Sequence, residues 1–211
     1  MYKHFFKRLI DILLSLIALP FVLLVIAVMA PFIYLEDKGP VFYNATRRGK
    51  GNKTFKMFKL RSMYVNSPNL RNADGSTFNS DKDPRVTKVG RFMRKTSVDE
   101  LPQILNVFLG HMSFIGPRPV MATTPYEELP ELAKKRLGAR PGITGYAQAY
   151  YRNSIGQEEK FQYDCYYVDH VTFLMDVKII FKTVWSVLKR ENINTTTEAP
   201  AAQAQEPVET K

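Results

Sequence analysis

Between Ile12 and Leu35 the chain runs for 24 residues without a charge, and after that run it returns to short mixed segments of apolar and polar positions. A helix rises about 1.5 Å per residue and a bilayer core is about 30 Å thick, so a run of this length is enough to cross a membrane once. Pro20 falls inside it. Proline has no N–H and its ring meets the carbonyl four residues back, here Leu16. The pattern therefore predicts a helix broken at Pro20, which turns back within about one leaflet and leaves near Pro31. The freed carbonyl needs a partner, because an unpaired backbone group in lipid costs several kcal/mol, and a serine such as Ser15 or packing on the rest of the chain is expected to supply it. The alternative is a kinked helix that spans.

Beyond the run, Val41 to Tyr43 and Thr54 to Met63 alternate partly between aliphatic or aromatic and basic residues, which predicts two short strands around the loop Arg47 to Lys53. Ser67 to Asp83 is polar and reads as a surface loop. Ile104, Leu105, Val107, Phe108 and Leu109 give a helix its buried face, beginning near Ser97 and stopped by Gly110. Tyr126 to Leu137 reads as a further helix, followed by a turn over residues 139–145. A last helix is expected over Val171 to Leu188, with Lys178, Lys182 and Lys189 on one face and an apolar remainder that suits either a membrane interface or a soluble core. The fold class is α+β: a re-entrant membrane helix over 1–38, a small helical domain with a β-hairpin and amphipathic interfacial helices over 39–190, and a disordered tail over 191–211 that is too polar to bury a core.

Charge decides on which side the two ends of the apolar run lie. Lys3, Lys7 and Arg8 precede it, and Arg47, Arg48, Lys50, Lys53, Lys56, Lys59 and Arg61 follow it with no acid among residues 47 to 63. Lys and Arg beside a membrane segment favour the cytoplasmic face, so one crossing would put a basic cluster on the wrong side, whereas a hairpin keeps both inside. A signal peptide is not expected, since no small-residue cleavage site leads into a polar start and Tyr2, Phe5 and Phe6 form an interfacial belt. The formal charge is +10, and because residues 191 to 211 sum to −3, the rest carries +13. Such a field attracts phosphates of any kind. Cys165 is the only cysteine, which excludes an internal disulfide and a cysteine-clustered zinc site, and His4, His111 and His170 are scattered.

Asp99 and Glu100 stand out as adjacent acids among Arg91, Arg94, Lys95 and Arg118. Ser97 to Glu100 matches a helix capping box, which would make both acids structural, with Pro102 fixing the helix start. The same geometry suits chemistry: a carboxylate held ionised among arginines can attack phosphorus or bind a hard cation, and magnesium prefers one or two carboxylates with phosphate oxygens. Arg118 within Gly116–Pro119 and Arg140 before Pro141–Gly142 are framed by proline, which limits their backbone freedom and suits fixed contacts to phosphate.

KRLID near the start, GPVF, FKLRSM, RVTKVGRFMRKTSVDELPQILNV, SFIGPRP, RPGITGYAQ and YDCYYV occur in an order that resembles the bacterial sugar transferases, in particular the monotopic phosphoglycosyl transferases. The resemblance covers residues 3 to 190. It implies a bacterial inner-membrane enzyme with its catalytic domain on the cytoplasmic face, moving a sugar-1-phosphate from a UDP-sugar to polyprenyl (undecaprenyl) phosphate with release of UMP, as the first membrane step of a surface glycan. It implies Mg²⁺ as cofactor, Asp99 as nucleophile of a covalent sugar-phosphate intermediate, and Glu100 as metal ligand beside it. Arg94, Arg118, Lys59 and Arg61 match positions near the phosphates. Three positions depart from the family pattern: His111 stands where an acid is usual, Leu19 precedes Pro20 where a serine-proline pair usually lies a few residues later, and Tyr146 replaces a tryptophan. Rival readings are a membrane-anchored nucleic-acid-binding protein, suggested by the charge, and a non-catalytic single-pass scaffold. The choice of sugar and a homo-oligomeric state are left open.

Overall fold

The computed structural model describes residues 1–68, 70, 78, 80, 83–152 and 154–189. The tail expected over 191–211 and most of the polar loop expected over 67–83 lie outside the described residues.

A π-helical turn at Tyr2–Phe6 leads into α1, Lys7–Asp37. Contrary to the expected break, α1 stays helical through both Pro20 and Pro31. A proline removes one hydrogen bond and crowds one carbonyl, but its fixed φ is a helical value, so in an apolar helix the chain keeps the remaining bonds rather than leaving the helix. Ser15 does not serve Leu16 either: its hydroxyl donates to the Ile12 carbonyl at 2.9 Å. Asp11, Ser15, Val22 and Ile33 are buried on one stripe, joined by Ile26 and Met29 packed beside Leu60 and Met93, whereas Leu13, Ile17, Phe21, Leu24 and Val28 on the other faces are exposed. The helix is long and apolar enough to cross a membrane by length and composition, and only 11% of its most apolar window is buried.

Both ends of α1 are tied to the rest of the chain. Near its start, Arg8 donates to the Val107 and Phe108 carbonyls at 2.5 and 2.8 Å, and Asp11 accepts from Ser113 Oγ and the Phe114 N–H, each at 3.1 Å. At its end, Glu36 accepts from the Lys88 and Val89 N–H groups at 2.5 and 3.0 Å, and Asp37 forms a bidentate pair with Arg61. Lys38, in the left-handed region at φ 57°, closes the helix.

Strands β1 (Ala45–Arg48) and β2 (Thr54–Met57) form the antiparallel hairpin, turned at Gly51 with φ 64°. The first strand lies later than the expected Val41–Tyr43; Phe42 makes only an isolated bridge to Leu60, in the register that the hairpin continues to Arg48 and Thr54. Helix α2 (Lys88–Thr96) is capped by the Thr87 hydroxyl, which accepts from the Gly90 N–H. Helix α3 (Gln103–Leu109) ends at Gly110 with φ 84°. Strand β3 (Ser113–Ile115) precedes β4 (Val120–Met121), which adds antiparallel to β1 so that the order is β2-β1-β4.

Helix α4 covers only Glu131–Arg136 of the expected 126–137 span, because Pro130 disfavours helix at Leu129 and so sets the start. Strand β5 (Gly142–Thr144) pairs parallel with β3. A Cβ on Gly142 would lie 2.1 Å from the Gly116 nitrogen, so only glycine lets the two proline-framed arginine loops approach this closely. Helices α5 (Tyr146–Tyr150), α6 (Gln157–Asp169) and α7 (Phe173–Leu188) complete the chain. In α7, Asp176, Ile179 and Ser186 are buried while Phe173, Leu174, Phe181, Val184 and Trp185 are exposed, so one stripe packs inward and a second apolar face is left uncovered. The mixture of helices and small sheets agrees with the α+β expectation.

Candidate active site

The capping box expected at Ser97 does not form. Ser97 adopts the left-handed conformation at φ 58°, ends α2 by donating its N–H to the Arg94 and Met93 carbonyls, and makes no side-chain cap. Val98–Glu100 then form a single 3₁₀ turn, and α3 starts only after Pro102. A residue at positive φ cannot act as the extended N-cap that a capping box needs. Asp99 and Glu100 are therefore free of the helix-start duty that would have explained them structurally.

Their side chains meet Lys59 instead. The Lys59 ammonium lies 3.0 Å from Asp99 and 3.1 Å from Glu100, with the Asp99 side chain 3% exposed and that of Glu100 31%. The backbone fixes this meeting: the Leu60 N–H donates to the Asp99 carbonyl at 2.9 Å, which pins the exit of the hairpin to the 3₁₀ turn. The field of Lys59 holds the Glu100 carboxyl below its ordinary range against the opposing effect of burial, with Arg118 and Arg94 adding to it. Burial works against the charge on Lys59, but the fields of Glu100 and Asp99 and the hydrogen bond to Asp99 outweigh it and raise the ammonium pKa. Arg94 sits in the last turn of α2, donates Nε–H to Ser62 Oγ at 2.9 Å, and is lowered by burial, which the fields of Asp99 and Asp83 oppose.

Arg118 reaches the same cluster from the β3–β4 loop. Its side chain is exposed, while its carbonyl accepts from Arg136 at 2.8 Å, and Arg136 in turn pairs with Asp164 at 2.6 Å, both buried. A locked backbone thus carries an open guanidinium. Asp99, Glu100, Lys59, Arg94 and Arg118 thus lie in one cluster.

Arg61 and Arg140 do not join them. The Arg61 guanidinium is engaged by Asp37 at the end of α1. Arg140 donates Nε–H to the Gly110 carbonyl at 3.0 Å and lines a separate cleft with Lys3, Lys7 and Lys50. His111 stacks on Phe55 with ring centroids 5.6 Å apart, and Tyr146 stacks on Tyr150 at 4.7 Å.

Two residues of the site escaped the sequence reading. Ser62 orients Arg94, and nothing in its local sequence announces that. Asn106, fully buried, accepts from the Phe58 N–H and donates to the Lys56 carbonyl, each at 2.8 Å, and so sets the strand end from which Lys59 projects. Its signal was present: a polar residue inside an apolar helix face needs buried partners. Among the described residues no group of three or more His, Cys, Asp or Glu gathers as a metal cage.

Residues 2–190 match the family model described as bacterial sugar transferase. The chain is 40% identical over 190 residues to a UDP-N-acetylgalactosamine-undecaprenyl-phosphate N-acetylgalactosaminephosphotransferase of Aeromonas hydrophila, a match covering 87% of this chain and 44% of that protein. It is 39% identical to a UDP-glucose:undecaprenyl-phosphate glucose-1-phosphate transferase of Escherichia coli (strain K12), covering 85% of this chain and 39% of that one. An uncharacterized sugar transferase of Bacillus subtilis (strain 168) is 37% identical, and there the match covers 92% of this chain and 93% of its relative. The chain spans less than half the length of the two relatives named for an activity, and nearly all of the third. With the match running through both the carboxylate pair and the proline-framed arginines, the chain belongs to the bacterial sugar transferase family.

Proposed function

We propose that this chain transfers a sugar-1-phosphate from a UDP-sugar to undecaprenyl phosphate. The observation that carries the reading is the release of Asp99 and Glu100 from any capping role into a cluster of three cations, Lys59, Arg94 and Arg118. A diphosphate binding there takes over the attention of Lys59 and Arg118 and uncovers Asp99. An Asp99 oxygen then attacks the phosphorus next to the sugar, the bond from that phosphorus to the bridging pyrophosphate oxygen breaks, and UMP leaves carrying the bridging oxygen. The oxygen of undecaprenyl phosphate attacks the same phosphorus, which frees the carboxylate and yields the sugar on a lipid diphosphate. Arg61 is assigned to holding the fold, and Arg140, outside the Asp99 cluster, takes no part in binding the diphosphate.

The residues fit a magnesium ion. Two adjacent carboxylates already share one cation, the Lys59 ammonium, and with substrate phosphates they supply the oxygen ligands that magnesium prefers, with Glu100 the more exposed. When bound, the ion neutralises charge on the diphosphate. Membrane attachment through α1 follows from its exposed apolar faces, and the bonding of its two ends and of its Ile26–Met29–Ile33 stripe to one domain supports a helix held on that domain's side, the cytoplasmic one, rather than one that carries its ends to opposite faces. Within the basic segment, Arg48 and Arg61 are buried and hydrogen-bonded internally, while Lys50, Lys53 and Lys56 stay exposed.

The test is incubation with a panel of UDP-sugars and Mg²⁺, followed by intact mass and UMP detection. A sugar-phosphate adduct on Asp99 and UMP release are expected, and both disappear in Asp99→Asn. Full turnover by Asp99→Asn ends the mechanism.

A further inference from the structure

The two basic stretches that bracket the apolar run converge on one cleft that shares no residue with the Asp99 cluster. Lys3 and Lys7 enter from the start of α1, Lys50 from the hairpin tip, and Arg140 from the loop before β5, with Tyr167 and Val171 behind them. Part of this charge is already used: Lys7 pairs with Asp176 at 2.6 Å, Lys3 donates one N–H to the Val168 carbonyl at 2.7 Å, and Asp11 on the cleft wall is held by β3. What remains available is the exposed Lys50 ammonium, the outer nitrogens of Arg140 and the other N–H groups of Lys3. These are donors for one phosphate-sized anion.

The surroundings say which anion. Tyr2 packs edge-on against Phe173 at 5.7 Å, and Phe5, Phe6, Leu9, Phe173 and Leu174 are exposed around this end of α1 and α7. A soluble anion gains nothing from an apolar rim, whereas a lipid sets its phosphate among the cations and its chains along that rim. We propose that this cleft binds the phosphodiester headgroup of an anionic membrane phospholipid, fixing the depth and tilt of the N-terminal helix at the bilayer surface. The proposal rests on membrane attachment through α1 and is independent of the chemistry assigned to Asp99.

Native mass spectrometry of the full chain released from phosphatidylcholine nanodiscs doped with phosphatidylglycerol tests it. One phosphatidylglycerol is expected to stay bound in preference to phosphatidylcholine. Lys50→Glu, which alters an exposed side chain, and Arg140→Gln, checked for an unchanged melting transition, are each expected to lower that occupancy about fivefold or more, the effect of one basic residue near an anionic surface. Asp99→Asn is expected to retain the lipid, which separates this result from the fate of the proposed reaction. Equal retention of both lipids, occupancy unchanged in Lys50→Glu, displacement by inorganic phosphate alone, or displacement by polyprenyl phosphate would each overturn the proposal, the last by making the cleft an acceptor site.

Discussion

Lys59 holds two carboxylates at once, and that sharing gives the site a definite pH behaviour. The Glu100 carboxyl lies below its ordinary value of 4.5, so the contribution of the pair to stability is complete above that value and is lost as pH falls through the depressed one. The Lys59 ammonium lies above its ordinary 10.5, so its contribution is complete below that value and is lost as pH rises through the raised one. The melting-temperature difference between the native chain and Lys59→Met is therefore expected to be flat between about pH 4.5 and 10.5 and to shrink on either side. A difference that drifts across neutral pH would mean that Lys59 is not paired as described. Arg61, adjacent to this segment, shows how little residue type alone assigns a role: its guanidinium serves Asp37.

At the scale of elements, the cluster depends on how α3 is joined to the hairpin. Asn106 bridges them with two hydrogen bonds, to the Phe58 N–H and the Lys56 carbonyl. Replacing it by alanine leaves both partly buried groups without this partner and is expected to cost about 2 kcal/mol, measured as a lowered denaturant midpoint. The same change loosens the strand end that carries Lys59, so kcat is expected to fall more than KM rises. An Asn106→Ala variant with native stability would remove the bridge from the account. The α2 helix is capped twice, by the Thr87 hydroxyl within its own segment and by Glu36 reaching across from α1, which joins the long apolar helix to the helix that carries Arg94.

At the scale of the molecule, α1 is fastened at both ends to one domain, by Arg8 and Asp11 at its start and by Glu36 and Asp37 at its end. A helix crossing the bilayer once would put one of those ends on the membrane face opposite the domain that bonds it. A cysteine placed ahead of Met1 and a second in place of Lys38 are both expected to react with a membrane-impermeant maleimide only after the cytoplasmic face is opened, with little background because Cys165 is buried. Labelling of one of the two from outside intact cells would show a single crossing.

The linear chain determined the apolar run, the basic flanks, the acidic pair and the glycine stops, because each is written in neighbouring residues through period, charge or backbone freedom. It also brought Lys59, Arg94 and Arg118 under suspicion beside Asp99 and Glu100. Tertiary structure alone decided the rest. Whether Ser97 caps a helix or ends one depends on a backbone angle set by the packing of α2 against α1 and the Leu60–Ser62 segment. Whether Pro20 interrupts α1 depends on the balance between one lost bond and the many kept. Arg61 and Arg140 were held away from the Asp99 cluster by partners 24 and 30 residues away in the chain, and the Arg136–Asp164 pair that steadies Arg118 joins residues 28 apart. Contacts at such separations follow from how the elements close on one another, and no local pattern records them.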